Sequence, residues 1–333
     1  MLKETVSTLE ADAVLSYDPI PFEEIQAARE RIAGSAVRTP LVRLPVDDAP
    51  AEIWLKLENL QPIGAFKIRG AANALALATA DDISRGVWTA SAGNMAQGVA
   101  WVARRLGVPC AVVVPETAPQ AKRDAIDRLG ARLIPVPFDT WFEVFDTRRF
   151  EGMDGLFVHP FSDPAVMAGN GTIGLEILED LPDVDAVVAP FGGGGLSCGI
   201  ASAVRASRSP AKAYAAEVDG AAPLAASLAA GAMVAVDYRP SFVDGIGGPR
   251  LSEEMFALAS KILDGSLVTS VEEVASSVRL LAERAHVVAE GAGAAGVAVA
   301  LTGAAGNGKV VCVVSGGNID PSKLATILGG GVP

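Results

Sequence analysis

The sequence predicts an α/β protein built on parallel sheets that helices cover on both faces. Apolar runs of four to six residues, such as Ala186–Ala189 and Val310–Val314, recur along the chain, as strands buried on both faces do. Helical periodicity fills the text between them, so strand and helix alternate. The 35 glycines and 21 prolines fall between these segments as punctuation rather than forming low-complexity tracts.

The elements follow in order. Phe22–Ala33 reads as a charged amphipathic helix and Thr39–Val42 as a short extended segment. Ile53–Glu58 alternates as a strand; after a turn at Pro62 and Gly64, a helix carries Lys67 near its start and runs to Ala80. Then come Val87–Thr89, Asn94–Leu106, Cys110–Val114, Pro119–Leu129 and Arg132–Val136, with Pro119 opening and Gly130 closing the last of these helices. Asp139–Phe150 is a further helix and Leu156–Val158 a short strand. Helix Asp163–Leu181, strand Ala186–Ala189, helix Leu196–Ala206, strand Ala213–Glu217 and helix Ala221–Ala230 continue the alternation. Ser270–His286, Ala292–Leu301 and Ser322–Leu328 read as helices, and Lys309–Val314 as an apolar strand. Residues 1–82 and 158–333 are expected to form a large domain, with residues 83–157 inserted as a small one. The acidic residues from Glu176 to Asp185 and the pair Arg104-Arg105 read as solvated helix faces.

Composition narrows the function. At 333 residues and 50% hydrophobic but only 5% aromatic, the chain can bury a large core of Ala, Val, Leu and Ile. A net charge of −12 argues against nucleic acid or an anionic membrane as partner, while leaving room for a small anion held by backbone groups. Cys110, Cys198 and Cys312 are odd in number and scattered, which fits reduced thiols in a cytoplasmic protein. With His159 and His286 alone and no CxxC, a zinc site is not expected. Met1–Asp18 has no continuous apolar core of a signal peptide, and Gly291–Gly306 is too short and Gly/Ala-rich for a membrane span.

Four segments carry chemistry. Lys67 lies between Phe66 and Ile68 at a helix start, where apolar flanks and the positive helix end both favour the neutral, nucleophilic amine. The same text also suits a lysine snorkelling from a half-buried helix. Gly192-Gly193-Gly194-Gly195 joins a buried strand to an apolar helix beginning at Leu196; consecutive N–H groups there make an anion site without a basic side chain. No Lys-Ser/Thr follows, so it is not a P-loop. The turn Ser91-Ala92-Gly93-Asn94-Met95 offers backbone N–H groups and an amide to a carboxylate or phenolate, or serves as a plain helix cap. Ser315 leaves a central strand at its carboxyl end, where α/β proteins place ligands, or marks an ordinary strand exit. Gly291-Ala292-Gly293-Ala294-Ala295-Gly296 matches GxGxxG, but polar text precedes it and no acidic residue stands about twenty positions on. It reads as a small-residue helix packed closely on a neighbour, which leaves an NAD dehydrogenase without support.

Taken together, these segments resemble the fold-type II pyridoxal-phosphate enzymes, and within them the serine/threonine dehydratase group with its serine racemase and hydroxyaspartate dehydratase relatives. The resemblance runs from about Phe22 to Leu328 and takes in His159-Pro160-Phe161, Ala168-Gly169-Asn170-Gly171-Thr172 and Asp244-Gly245-Ile246. It implies the tryptophan-synthase-β-like fold, two parallel-sheet α/β domains with pyridoxal 5'-phosphate in the cleft between them. Lys67 is implied as the Schiff-base lysine and, with Ser91, as catalytic; Phe66 packs beside the cofactor ring. Gly192, Gly193, Gly194, Gly195 and the Leu196 amide hold the phosphate, Asn94 the ring hydroxyl, and Ser315 the pyridine nitrogen, with Glu290 in the same cofactor set. Ser91 and the amides of Ala92, Gly93, Asn94 and Met95 take the substrate carboxylate, and Gly245 completes the substrate set. The implied reaction is elimination from a 3-hydroxy amino acid such as threonine or serine, giving a 2-oxo acid and ammonia, in a homodimer. A serine at the pyridine nitrogen does not enforce its protonation, which favours prompt elimination over a long-lived carbanion.

The chain also departs from the family pattern. Ala65 stands where serine is common, Met95 where histidine is usual and Asn170 where glutamine is usual. Met95 removes a polar group, so an apolar substituent, as in threonine or a larger 3-hydroxy amino acid, is expected over hydroxyaspartate. Ala92 replaces the serine that the racemase uses on the second ring face, so efficient racemisation is not expected. The family's cation site would need Glu217, the Ala221 carbonyl and an acidic residue at 223, where Pro223 stands; no metal is expected. Ala92 and Met95 also depart from the Ser-Gly-Asn-Thr turn of the β-replacing synthases. A non-catalytic protein binding the cofactor or an amino acid is the alternative of another class. Because the chain stops soon after Leu328, neither a regulatory domain nor isoleucine feedback is expected.

Overall fold

The computed structural model of the chain describes residues 18–333; the signal-peptide reading of Met1–Asp18 falls, Asp18 apart, outside the described residues. Helix α1 (Phe22–Arg31) is followed by an antiparallel strand pair, β1 (Leu41–Arg43) and β2 (Glu52–Lys56), then α2 (Lys67–Leu77) and the short α3 (Ala80–Ile83). Next come β3 (Val87–Ala90), α4 (Asn94–Leu106), β4 (Cys110–Pro115), α5 (Gln120–Asp127), β5 (Arg132–Val136), α6 (Phe138–Thr147) and β6 (Leu156–Phe157). The chain continues through α7 (Pro164–Asp180), β7 (Ala186–Pro190), α8 (Gly195–Ala206), β8 (Lys212–Val218) and α9 (Pro223–Ala230). It ends with α10 (Glu253–Ile262), β9 (Gly265–Thr269), α11 (Val271–Leu280), α12 (Gly291–Leu301), β10 (Lys309–Val313) and α13 (Pro321–Leu328).

Two sheets result. A six-stranded sheet runs β1-β2-β10-β7-β8-β9, parallel except at β1, and a four-stranded sheet runs β5-β4-β3-β6, parallel throughout. The central strands bear out the apolar text: every residue of β3 and β7 is buried, as strands covered on both faces must be. All of Gly291–Ala300 in α12 is buried too. A Cβ on Gly293 would stand 2.4 Å from the Gly316 carbonyl oxygen, so this helix packs against backbone at a distance only glycine permits. That is the close-packed helix expected from its small residues.

Three expectations need correction. The helix after Lys67 stops at Leu77, because Thr79 starts a new one: its hydroxyl accepts from Asp82 N–H at 3.2 Å, and the Asp82 carboxylate accepts from Thr79 N–H at 2.8 Å. The helix expected to reach His286 ends at Leu280 and passes into one π-helical turn, Leu281–Ala285. Glu176 is no solvated residue but is 4% exposed and ion-paired, at 2.6 Å to both Arg69 and Lys56. Helix α10 and strand β9 lie in text that carried no expectation.

The buried ion cluster has a consequence for the site. Arg69 also pairs with Glu58 at 2.8 Å, and Lys56 donates to the Thr39 carbonyl at 2.7 Å, so β2, α2 and α7 are tied together. Residues two apart on a helix point to roughly opposite sides. Anchoring Arg69 in the core therefore turns Lys67 outward, toward the space between the sheets.

Candidate active site

A cleft of about 470 Å³ collects the carboxyl ends of strands from both sheets. Ser91 follows β3, Gly192 follows β7 and Ser315 follows β10, which is where open parallel sheets leave room for ligands. Phe66, Lys67, Ser91 to Met95, Gly192 to Leu196, Gly245, Glu290 and Ser315 all line it. Every residue expected for cofactor or substrate is thus brought to one place.

Lys67 is half-buried at the cleft wall, and desolvation lowers its amine to about 8, with the Glu290 charge acting in the opposite sense. Its Nζ donates to the Pro160 carbonyl at 2.5 Å and lies 5.1 Å from the Phe66 ring centre. That carbonyl is aimed by His159. Nδ1 accepts from the N–H groups of Ser162 at 2.8 Å and Phe161 at 3.2 Å, which leaves the proton on Nε2, 3.2 Å from the Phe145 carbonyl. Burial pushes His159 down to about 3, so it stays neutral and able to accept.

The glycine run forms the amino end of α8. Gly194 has φ +93°, and among the described residues no acceptor takes the N–H groups of Gly193, Gly194, Gly195 or Leu196. Unused donors at a helix start form an anion cradle. A Cβ on Gly193 would stand 2.2 Å from the Phe161 ring and one on Gly195 2.6 Å from the Phe161 carbonyl oxygen, so larger residues cannot follow this path. Asn170 Nδ2 fixes the loop from behind by donating to the Gly195 carbonyl at 3.1 Å.

Opposite lies the start of α4. Ser91 Oγ accepts from Gly93 N–H at 3.1 Å, so that amide is engaged, while those of Ala92, Asn94 and Met95 meet no acceptor among the described residues. Asn94 does not cap its helix. Its Nδ2 donates to Glu290 Oε1 at 2.8 Å and its Oδ1 accepts from Asn318 Nδ2 at 2.8 Å, which leaves one amide hydrogen free. Burial raises Glu290 to about 7, against the pull of the Asn94 hydrogen bond. Ser315 is 2% exposed, and its hydroxyl has no partner among the described residues.

Met95 behaves differently from the sequence reading. Its side chain is 1% exposed and packs with Ile63, Ile68 and Val99, so it is a core residue and sets little of the cleft's polarity. Glu217, Ala221 and Pro223 lie away from the cleft, on β8 and at the start of α9. The Glu217 carboxylate accepts from Leu224 N–H at 3.0 Å, Ala225 N–H at 2.7 Å and Ser266 Oγ at 2.6 Å. Among the described residues, no group of three or more His, Cys, Asp or Glu side chains could hold a metal ion. Sequence reasoning missed Asn318 and a row of aromatic side chains on α6; the signal for the latter was Phe138, Trp141, Phe142 and Phe145 in a chain only 5% aromatic.

Residues 32–316 match the family of pyridoxal-phosphate dependent enzymes. The chain belongs to that family. Its relatives include an L-threonine ammonia-lyase of Thermotoga maritima, 42% identical over 318 residues that cover 94% of this chain and 79% of that protein. The catabolic L-threonine dehydratase TdcB of Escherichia coli K12 is 36% identical over 325 residues, 95% of this chain and 98% of that protein. Among solved structures, maize serine racemase superposes with a TM-score of 0.86 at 30% identity, covering 94% of this chain and 98% of that one. The cofactor is pyridoxal phosphate, and the site fits it: a half-buried amine with lowered basicity, unused N–H donors for a phosphate, and an unpartnered hydroxyl at Ser315.

Proposed function

We propose that the chain is an ammonia-lyase converting threonine or serine to the 2-oxo acid and ammonia, with each site residue acting as its surroundings dictate. The observation that carries this is the convergence, on one cleft, of the lowered Lys67 amine and two separate sets of unused backbone N–H groups. Bound at Lys67, pyridoxal phosphate supplies an electron sink for the bonds at Cα. The N–H groups of Gly193 to Leu196 hold its phosphate, and Ser315 accepts or donates at the ring nitrogen without fixing a charge there. Asn94 reaches the ring hydroxyl with its free amide hydrogen, and Phe66 packs along the ring. Ser91 and the free N–H groups at Ala92, Asn94 and Met95 bind the substrate carboxylate, and Gly245 gives the substrate room beside Glu290.

Lys67, once its amine is free, removes the Cα proton; a basicity near 8 lets it accept and return that proton at neutral pH. Ala92 offers no proton donor for a second face, which separates this reading from racemisation. Residues 83–157, carrying the four-stranded sheet, form in this reading a small domain over the large one made by the rest of the chain. A homodimer in the cytoplasm belongs to the same proposal, and the location is supported by three cysteines that are all free. Among the described residues no helix is long and apolar enough to cross a membrane. Ammonia and 2-oxobutanoate appearing together from threonine with the purified holoenzyme tests the reading; absence of both from threonine and serine would refute it.

A further inference from the structure

The cleft has an aromatic face that the elimination chemistry does not use; Trp141 and Phe145 also pack on the core of the four-stranded sheet, while Phe138 and Phe142 have no such part in that core. Phe138, Trp141, Phe142 and Phe145 recur at helical spacing, so they share one side of α6, and all four line the cleft. Val144, on another side, is the buried residue of this helix. The rings are in contact: Phe138 to Trp141 at 5.5 Å, Trp141 to Phe145 at 4.8 Å and Phe142 to Phe145 at 5.8 Å between centres. Phe145 lies 5.7 Å from Phe161, which directly follows the carbonyl that holds Lys67. The row therefore runs from the mouth of the cleft, where Phe138 is 51% exposed, to the neighbourhood of the reacting amine.

The charges beside it point the same way. Apart from Lys67, the cations lining the cleft are Lys122 and Arg250. Lys122 is paired with Asp244 at 3.0 Å and Arg250 with Asp146 at 2.6 Å, the latter also lying 5.4 Å from the Phe142 ring centre. Each cation thus has a carboxylate partner, Asp244 being shared with Lys323 at 3.6 Å, and an anionic group on the substrate side chain would meet Asp146 and Asp244 as well. A methyl group, by contrast, is too small to use a row of four rings.

We infer that the aromatic face of α6 receives the substituent on the substrate's Cβ, and that the substrates it favours are 3-hydroxy amino acids bearing an aryl group, with 3-phenylserine as the simplest probe. This rests on the lyase reading of the site. The Cα–H and Cβ–O bonds break, the proton passing to Lys67 and from there to the departing oxygen, which leaves as water. The enamine released takes up one water to give the 3-aryl-2-oxo acid and ammonia, with no net oxidation or reduction.

The test compares kcat/KM of the holoenzyme for 3-phenylserine and threonine, each followed by its oxo acid and ammonia, in the native chain and in Phe142→Ala and Trp141→Ala. Threonine turnover serves as the control that each variant is folded. The expected result is a phenylserine value at or above that for threonine, and a ratio of the two that falls about tenfold in each variant, the worth of one aromatic contact. Calorimetry supplies a second readout: phenylalanine, which has the ring but no leaving hydroxyl, should bind about tenfold tighter than alanine, and the variants should lose that margin. Turnover of threonine without phenylserine, formation of benzaldehyde and glycine in place of the oxo acid, or an unchanged ratio in both variants overturns the inference and leaves the lyase reading standing. No turnover of threonine, serine or phenylserine overturns the lyase reading and this inference with it.

Discussion

Lys67 and Glu290 share the cleft, and burial moves them in opposite directions: the amine down to about 8 and the carboxyl up to about 7. Each disfavours its charged form because water is excluded, and each is partly restored by the other's charge. The sign of a test follows. Replacing Glu290 by Gln removes the negative charge that raises Lys67, so the lysine titrates at lower pH and is neutral over a wider range. The rate of amine labelling in the cofactor-free protein, followed against pH, should shift its midpoint downward by about half a unit to one unit; an upward shift would contradict the arrangement. His159 is another residue whose meaning comes from its surroundings. In the sequence it is a member of a His-Pro-Phe motif, whereas in the fold it is a neutral acceptor for two backbone N–H groups and so aims the Pro160 carbonyl at Lys67.

At the scale of elements, the glycine run between β7 and α8 is where backbone alone makes the binding surface. Phe161 packs so closely over it that a Cβ on Gly193 would overlap the ring at 2.2 Å. Gly193→Ala should therefore displace the loop and weaken cofactor binding by tenfold or more, about 1.4 kcal/mol at least, measured as the dissociation constant for pyridoxal phosphate; unchanged affinity would mean that the loop does not hold the phosphate. This loop was legible because its signal is local: a run of glycines with an apolar strand on one side and an apolar helix on the other. Strand β9 was not legible. It is an edge strand with Thr269 buried, Val268 exposed and the rest half-buried, so its burial leaves no apolar run to read. The row on α6 was legible as a period, but a ring facing a cleft and a ring facing a core have the same period. Here α6 packs on β3 and β4, and its rings reach the cleft beyond them, Trp141 and Phe145 touching both cleft and core. Met95 failed in the opposite way: its position in a binding turn suggested a side chain facing substrate, while helix geometry sends it into the core.

At the scale of the molecule, buried charge ties α2, which carries Lys67 into the cleft, to β2 and α7. Burial alone would raise Glu58, but Arg69 and Thr39 hold it below the ordinary carboxylate range. Arg69→Met leaves Glu58 and Glu176 buried without that partner and should cost about 3–5 kcal/mol in urea unfolding. Arg29→Met, which breaks a more exposed pair with Glu179, should cost less than about 1 kcal/mol; equal losses would contradict the contrast. The alternation of strands and helices, and hence the fold class, could be read from the sequence because buried parallel strands are short and wholly apolar. The ion cluster could not, because Glu176 lies 107 residues from Arg69 in the chain and begins a run of acidic residues that otherwise reads as surface. The central claim, that Lys67 carries the cofactor at the meeting point of the two sheets, has one direct measurement. The holoenzyme is reduced with borohydride, digested and mapped by mass spectrometry. A pyridoxyl group is expected on Lys67 and absent from Lys67→Ala; a modified lysine elsewhere, or none, would contradict that claim.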